Sequence, residues 1–525
     1  MNVVSQKNAY CIFWSVAILH FLVWTFVPGI VQPGHRLDVV ELIFIGKEWV
    51  LQTNKHPQFP AWLNEIVYQA TGGAHFAPFL ASQLCVLACL FSIWRVARDL
   101  LKSEIMALVA VCVPLSGYWY FNYETTQFNA NTVLMAWWSV ATALLYFTLK
   151  TNKTCYWIAT GFAIACGFYA KYTMVFWVIA VLTFLIADGN GRKYWRGIGP
   201  YLTTAIAFTL FLPHLIWLVS NDFPCIRYID DAIQQTDPRK RFTIPLLFIG
   251  EQIGYMLPLF IFLLPIIGIR PRLRKIPDVG DIFNRRLLCF LLFIPFVLHE
   301  VIAIVLVRNI AKNYGEHFWP FLPLFILFVF LTPGGRTDHP PKNGTRQLPK
   351  GVRATLTICT VSWLLMIIPV FYQTWCYPYI MGKPLRIHFP GPQLAVHVDR
   401  VWHDRFDMPC PYYTGQWWPA GNAANNSVDR PTVHFYYFGM EEEKKPSASW
   451  SSDEDVNERG GMVFWEIDGR QSPEYVPGYL FKRFPTAQVE PGVIELPYQT
   501  GANISPVRIR IAVVPPKVER EYRRL

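Results

Sequence analysis

Two acidic side chains in residues 37–41, LDVVE, have a spacing that suits acid–base chemistry. If this segment is helical, Asp38 and Glu41 lie three positions apart and share one face. One carboxylate can then act as a general base while the other orients it or binds a metal ion. The same spacing also fits a solvated helix at a membrane surface whose acids cap its first turn. The residues alone leave both interpretations open.

Basic, phenolic and imidazole side chains that could bind an anion occur at three further places. They are Lys55 and His56 in KHPQFPAWL, Lys171 in GFYAKYT, and the group Lys312, Tyr314 and His317 in KNYGEHFWPFLP. A lysine at membrane depth is costly and usually faces a cavity or an anion. All three places also fit the membrane–water interface, where lysine costs little and aromatic residues accumulate.

The elements that must position these residues are membrane helices. The chain has 525 residues, of which 53% are hydrophobic and only 16% charged, and its mean hydropathy is +0.26. Apolar windows long enough to cross a bilayer recur from residue 9 to residue 375, and we count about eleven spans. The windows are 10–29, 78–97, 105–118, 131–149, 156–169, 173–186, 202–219, 244–269, 287–307, 318–331 and 356–372.

The net charge of +11 does not indicate nucleic-acid binding, because Lys and Arg are concentrated in alternate loops. These loops are residues 95–102, 150–153, 192–196, 270–286 and 336–353. Positive charge in alternate loops predicts a multi-pass inner-membrane protein with a cytoplasmic N-terminus. With an odd number of spans, the C-terminal part lies on the periplasmic side, and so do the loops that carry Asp38 and Lys55.

Two domains are predicted, with a boundary near residue 375. Residues 1–375 form the all-α transmembrane domain, and residues 376–525 form a periplasmic α/β domain. Within the second domain, the segments 432–437, 461–467 and 507–514 have the pattern of strands. The first external loop, residues 31–77, is too long for a simple connector and is therefore a candidate functional segment.

Motifs of soluble enzymes are missing from the sequence. We find no Walker loop, no GxSxG, no HExxH and no Rossmann GxGxxG in its phosphate-binding context. A nucleotide-sugar donor bound by a cytoplasmic Rossmann domain is therefore not expected.

In their order along the chain, these motifs resemble those of the GT-C membrane glycosyltransferases. More narrowly, the chain is similar to the bacterial glycosyltransferase family 39 and aminoarabinose-transferase group, relatives of the protein O-mannosyltransferases. LDVVE matches the acidic motif of the first loop, KHPQFPAWL the following turn, and GFYAKYT the lysine after the central span. The resemblance covers most of residues 10–375.

This resemblance implies transfer of a sugar from a polyprenyl-phosphate carrier to an extracytoplasmic lipid or glycan acceptor, with inversion. Asp38 would be the catalytic carboxylate and Glu41 would assist it. The carrier phosphate would be bound by cations and hydrogen-bond donors around it. These are Lys55, His56, Lys171, Lys312, Tyr314 and His317.

The sequence also departs from the family pattern. Gln58 replaces the second proline of the usual turn, and the second external loop reads NYETTQFNANT. The latter is closer to enzymes that modify lipid A or lipopolysaccharide core than to protein mannosyltransferases. No ligand set for a metal is evident, so the use of a divalent metal stays open.

A transporter or flippase for a lipid-linked glycan is the alternative function, because it too would have many spans and charges at membrane depth. Against it, the sequence shows no paired hydropathy halves of the kind that transporters have.

Overall fold

The structure is a computed structural model of the chain. It describes residues 6–53, 55, 57–225, 239, 241–271, 279–306, 312–331, 348–436, 450–467 and 471–517, without the side chains of residues 6–8, 312 and 313. Helices make up most of it. In chain order the α-helices are α1 Gln6–Val31, α2 Leu37–Gly46, α3 Phe59–Ala70, α4 Ala77–Leu101, α5 Glu104–Gly117, α6 Ala130–Thr151, α7 Thr154–Ala170, α8 Met174–Ala187, α9 Gly199–Ser220, α10 Thr243–Ile267, α11 Val279–Leu306, α12 Leu322–Phe330, α13 Lys350–Leu365, α14 Ile368–Phe371, α15 Tyr377–Met381, α16 Gly391–His403, α17 Trp417–Asn426, α18 Asp453–Arg459 and α19 Leu480–Arg483.

The chain divides into two compact units. The first, which we call the membrane unit, comprises Met1–Val27 and Phe76–Ile368, and the second, the mixed unit, comprises Pro28–His75 and Pro369–Leu525. The loop between α1 and α4 therefore packs with the C-terminal part of the chain. The predicted domain boundary at residue 375 stays a prediction. It divides the sequence at a single position, whereas the mixed unit also contains the loop of residues 28–75.

The membrane unit contains the long apolar helices. Among the described residues, seven helices are long and apolar enough to cross a membrane, or eight if α5 is joined to Trp119–Thr126 across a bend of 89°. Two shorter apolar helices, α7 and α8, follow α6. Each of the eleven predicted windows overlaps a helix. The chain is thus a multi-pass helical membrane protein, while the count of eleven crossings stays a prediction.

Capping and packing fix the helices of the membrane unit that carry chemistry. Asn129 caps α6, because its side chain accepts hydrogen bonds from the backbone N–H groups of Asn131 at 2.8 Å and Thr132 at 3.2 Å. The helix packs against α4 on one side and α7 on another. Residues at the start of α6 are therefore held in a defined orientation.

The mixed unit is built on one sheet of six strands. They are β1 Tyr412–Gly415, β2 Thr432–Phe435, β3 Gly461–Glu466, β4 Gln488–Val489, β5 Ile494–Leu496 and β6 Val507–Val514. The order is β2-β1-β3-β6-β4, with β5 also paired to β6. β1 is parallel to β2 and β3, whereas β6 is antiparallel to β3, β4 and β5. This sheet confirms the predicted C-terminal α/β architecture.

Three of these strands, β2, β3 and β6, fall in the segments that were predicted as strands. β1 was not predicted: it is four residues long and all four are buried, so it lacks the alternation that marks a strand with one solvated face. The helices α2 and α3 of the first loop belong to the same unit, and α2 packs against α17.

Candidate active site

The acidic pair predicted from the sequence lies on α2. This helix begins at Leu37, has Asp38 in its first turn, and is buried from Val39 to Gly46. A negative side chain in the first turn of a helix is stabilised by the helix dipole. Asp38 and Glu41 are thus on one helix, at the spacing that places them on one face.

Lys55 joins the two carboxylates. Its Nζ lies 2.9 Å from Oε2 of Glu41 and 3.7 Å from Oδ1 of Asp38. The exposed fraction of the side chain is 5% for Glu41 but 23% for Asp38 and Lys55. Asp38 is therefore the carboxylate that a substrate can reach, whereas Glu41 is placed to hold the lysine.

The turn that carries Lys55 is held by its own polar groups. The backbone N–H of Lys55 donates to Oγ1 of Thr53 at 3.2 Å, and the side-chain amide of Gln58 donates to the same oxygen at 2.8 Å. The Trp62 indole N–H donates to the carbonyl of Val50 at 2.9 Å. Gln58, the departure from the family pattern, thus stabilises the turn. His56 lies outside the described residues.

A second cluster lies in the membrane unit around Lys171. This residue directly follows α7 in an extended conformation, and its Nζ donates to Oδ1 of Asn131 at 2.6 Å. The same ammonium lies 4.0 Å from the centre of the Tyr314 ring, a cation–π distance. Lys171 therefore sits in the break between α7 and α8 that the sequence predicted.

His317 belongs to the same cluster. Its side chain is buried, its ring centre lies 4.6 Å from that of Trp138, and neither ring nitrogen has a hydrogen-bond partner among the described residues. Burial, followed by the charge of Lys171, lowers the pKa of His317 well below its ordinary value. The imidazole is therefore neutral. The side chain of Lys312 is not among those that the structure describes. Its backbone belongs to the same short 3₁₀ helix as Tyr314.

Glu316 is a member of this cluster that the sequence reasoning did not single out. Its Oε1 accepts a hydrogen bond from the hydroxyl of Thr132 at 3.2 Å. Burial, reinforced by the negative charge of Glu124, raises the pKa of Glu316 to about 8, against the opposing effects of the Thr132 hydrogen bond and the charge of Lys171. An acid within the aromatic run YGEHFWPFLP is the signal that could have identified it.

Glu124 comes from the bent segment after α5. The indole N–H of Trp119 donates to its Oε1 at 3.0 Å. The phenol of Tyr118, in the same segment, donates to the carbonyl oxygen of Glu316 at 2.9 Å. These contacts tie residues 118–126 to residues 312–318, and Glu124, Glu316 and Lys171 are close enough to interact electrostatically.

The predicted site residues thus form two groups. Asp38, Glu41 and Lys55 meet in the mixed unit, while Lys171, Tyr314 and His317 meet in the membrane unit. Among the described residues, no three His, Cys, Asp or Glu side chains form a group that could hold a metal ion. Metal use stays open.

Comparison with known proteins assigns the fold. The family model described as dolichyl-phosphate-mannose-protein mannosyltransferase matches residues 55–217. This match begins at Lys55 and includes Lys171, whereas Asp38 and Glu41 precede it. The lipopolysaccharide core galacturonosyltransferase RgtB of Rhizobium johnstonii is 25% identical over 245 residues, which cover 45% of this chain and 48% of that protein. The chain therefore matches about half the length of this curated relative.

Solved structures extend the likeness over almost the whole chain. ArnT from Cupriavidus metallidurans, bound to undecaprenyl phosphate, superposes with a TM-score of 0.61 at 12% identity over 98% of this chain and 99% of that one. Its apo form gives the same TM-score at 14% identity over 97% and 99%. This likeness shows the fold of the chain, a polytopic helical membrane domain with a C-terminal α/β portion. In fold the chain is similar to ArnT, and in parts of its sequence it is similar to the mannosyltransferase family model and to RgtB.

Proposed function

We propose that this protein transfers a sugar from a polyprenyl-phosphate carrier to a hydroxyl group of lipid A or another envelope glycan. The support is twofold. One solved structure that resembles the chain over almost its whole length is that of ArnT bound to undecaprenyl phosphate, and one curated relative is a lipopolysaccharide core galacturonosyltransferase. The donor, the acceptor class and the inverting course are proposals for this chain.

One observation carries the proposal: the carboxylates of Asp38 and Glu41 share the ammonium of Lys55, at 3.7 and 2.9 Å. A buried helix has little reason to present two acids to a lysine of the turn that follows it unless these groups do chemistry. The partly exposed Asp38 accepts the proton of the acceptor hydroxyl, and Glu41 holds Lys55 so that the acid pair is charge-balanced.

The proposed reaction is a single displacement. The acceptor oxygen, deprotonated by Asp38, forms a bond to the anomeric carbon of the sugar. The bond between that carbon and the phosphate oxygen breaks, and its electron pair leaves with the polyprenyl phosphate. Because the new bond forms on the face opposite the leaving group, the anomeric centre inverts.

The carrier phosphate is assigned to the cluster around Lys171. An ammonium held by Asn131 and Tyr314 is pre-positioned, so little of its freedom is lost when it binds an anion. A fixed cation stabilises the charge that grows on the phosphate as the sugar leaves. The neutral His317, with both ring nitrogens unbonded among the described residues, supplies a further hydrogen-bond donor.

The localisation follows from the charge distribution and is likewise a proposal. We place the protein in the inner membrane with its N-terminus in the cytoplasm, so that the first loop and the mixed unit lie in the periplasm. An enzyme with this orientation modifies its acceptor after the acceptor has crossed the membrane.

The test uses purified full-length protein in nanodiscs, with undecaprenyl-phosphate-linked galacturonic acid or aminoarabinose as donor and lipid A as acceptor. Mass spectrometry follows the acceptor. We expect the wild type to add one sugar and Asp38→Asn to lose at least about a hundredfold in kcat. Glu474→Gln, which alters an exposed acid, is the matched control and keeps full activity. Full turnover by Asp38→Asn would refute the assigned base.

A second measurement separates transfer from transport. Wild-type protein is reconstituted in vesicles that carry the labelled donor and no acceptor. A transferase leaves the donor chemically intact and on its original side until acceptor is added. Movement of the lipid across the bilayer without any sugar transfer would establish the flippase alternative instead.

A further inference from the structure

The helix that carries the proposed catalytic acid is packed against α17 of the same unit. α2 has the acids near its first turn, and eight of its ten residues are buried. A buried helix can present Asp38 in one orientation only if its neighbours fix both its rotation and its depth. The contacts with α17 show which residues do so.

Asn425 fixes the backbone of α2. Its side-chain amide N–H donates to the carbonyl oxygen of Val40 at 2.9 Å. Val40 directly precedes Glu41 and lies two residues after Asp38. A side chain that reaches from one helix to the main chain of another sets the rotation of the second helix, because the carbonyl must face the donor.

Gly421 fixes how closely the two helices approach. A Cβ atom at this position would lie 2.8 Å from Cε1 of Phe44 and 3.4 Å from Cγ1 of Val40. Any larger residue therefore pushes α2 away or forces the Phe44 ring to move. Phe44 in turn packs edge-to-face on Phe435 of β2, with ring centres 5.4 Å apart. Because Gly421 has no side chain, α2 can pack directly against α17 and β2.

The entry to α2 is held by other parts of the same unit. The guanidinium of Arg36, which precedes the helix, donates to Oε1 of Gln373 at 3.3 Å. A Cβ atom at Gly34 would lie 2.7 Å from the carbonyl oxygen of Ile387, so the chain before α2 runs directly along that backbone. The helix is thus restrained at its start and along its length.

We propose that Asn425 and Gly421 are positioning residues that set the orientation of Asp38 and Glu41 for transfer. The inference rests on the proposed function of Asp38. Both residues act through α2, Asn425 on its backbone and Gly421 through Phe44 and Val40. The C-terminal α/β portion of the chain is therefore part of the catalytic apparatus through its hold on α2.

The first experiment measures kcat and the donor KM of Asn425→Leu, which keeps the size of the side chain and removes the donor. The matched control is Asn426→Leu on the same helix, since the Asn426 amide donates within α17, to the Asn422 carbonyl at 2.8 Å. We expect Asn425→Leu to lower kcat about tenfold to a hundredfold with donor KM unchanged, because misplacing a reacting group costs rate rather than binding. The control keeps the wild-type kcat.

The second experiment uses size compensation. Gly421→Ala should lower kcat in the same way, and Gly421→Ala combined with Phe44→Leu should recover most of it, because the smaller side chain vacates the space that the new methyl group takes. Failure of the double variant to recover any activity, with Gly421→Ala folded, would overturn the role of Gly421.

Amide hydrogen exchange across α2 gives a readout independent of transfer. Exchange should be faster in Asn425→Leu than in the wild type and unchanged in Asn426→Leu. Wild-type exchange in α2 together with wild-type kcat in Asn425→Leu would overturn the proposal. If the wild-type protein transfers no sugar while α2 exchanges faster in Asn425→Leu, the hold on α2 stands and the proposed function fails.

Discussion

The guanidinium of Arg430 forms a two-pronged ion pair with Glu65, with Nη1 and Nη2 lying 3.2 and 3.0 Å from the two carboxylate oxygens. Glu65 is on α3, and its side chain is 0% exposed. Arg430 also lies 4.6 Å from the centre of the Tyr68 ring on the same helix. This pair joins the first loop to the residues just before β2.

Removing one partner of this pair should destabilise the mixed unit. Arg430→Met leaves the buried Glu65 carboxylate without its charge partner, at a cost of about 3–5 kcal/mol. We expect a lower midpoint of thermal unfolding, and the double variant Arg430→Met with Glu65→Gln should recover part of the loss. Equal midpoints for wild type and Arg430→Met would show that the pair contributes nothing net.

Lys171 offers a prediction on donor binding. Lys171→Met should raise the donor KM by about tenfold to a hundredfold, because a hydrogen bond to a charged group contributes roughly 1.5–3 kcal/mol. Lys171→Arg keeps the charge and should retain part of the affinity. Lys153→Met, which changes an exposed lysine before α7, is the control. Steady-state kinetics at varied donor concentration measures all three, and an unchanged KM in Lys171→Met would exclude a phosphate role.

The raised pKa of Glu316 predicts that the free energy of unfolding depends on pH. The folded protein holds its proton up to about pH 8, whereas the unfolded chain releases it near pH 4.5. The stability associated with protonated Glu316 is therefore complete below pH 4.5 and is lost as the pH rises towards 8, by an amount on the order of 5 kcal/mol. Glu316→Gln removes this dependence, since an amide does not ionise.

The measurement is the thermal unfolding midpoint of both proteins between pH 5 and pH 9. Other groups titrate equally in both, so the difference between the two curves isolates Glu316. We expect the midpoint of the wild type to fall more steeply than that of Glu316→Gln across this interval. Parallel curves would mean that Glu316 is already ionised in the folded protein.

Lys55 is expected to govern turnover. In Lys55→Met the carboxylates of Asp38 and Glu41 lose the ammonium that they share, so their mutual repulsion is less well offset and Asp38 is held less firmly in its position. We expect kcat to fall at least about tenfold, and Lys55→Arg to keep part of it. Transfer assays under saturating donor measure the effect, and a fully active Lys55→Met would show that the ion pair has only a structural role.

Much of this arrangement could be predicted from local sequence. The acids of LDVVE share a helical face because three positions is nearly one turn, and Lys171 marks the end of α7 because it interrupts an apolar run. The segments of β2, β3 and β6 follow from their strand pattern. Each of these signals lies within a few residues, which is the range over which backbone periodicity acts.

Other features could not be predicted because they depend on pairing between distant segments. Nothing near Glu65 indicates that Arg430 will neutralise it, and nothing near Val40 indicates Asn425. β1 was missed because a short buried strand looks like any apolar run. Glu316 was missed because its pKa is raised by burial and by the charge of Glu124, which is far away in the sequence.

The membership of α2 and α3 in the mixed unit has a consequence for how the protein is made. The ribosome completes the first loop long before residues 369–525 exist, since all of residues 76–368 must be synthesised in between. During that time Phe44 and the carboxylate of Glu65 lack Gly421, Phe435 and Arg430, the later residues that contact them. In a chain that stops before Arg430, the first loop should therefore stay incompletely folded and exposed to proteases and chaperones, even when the membrane helices have inserted correctly.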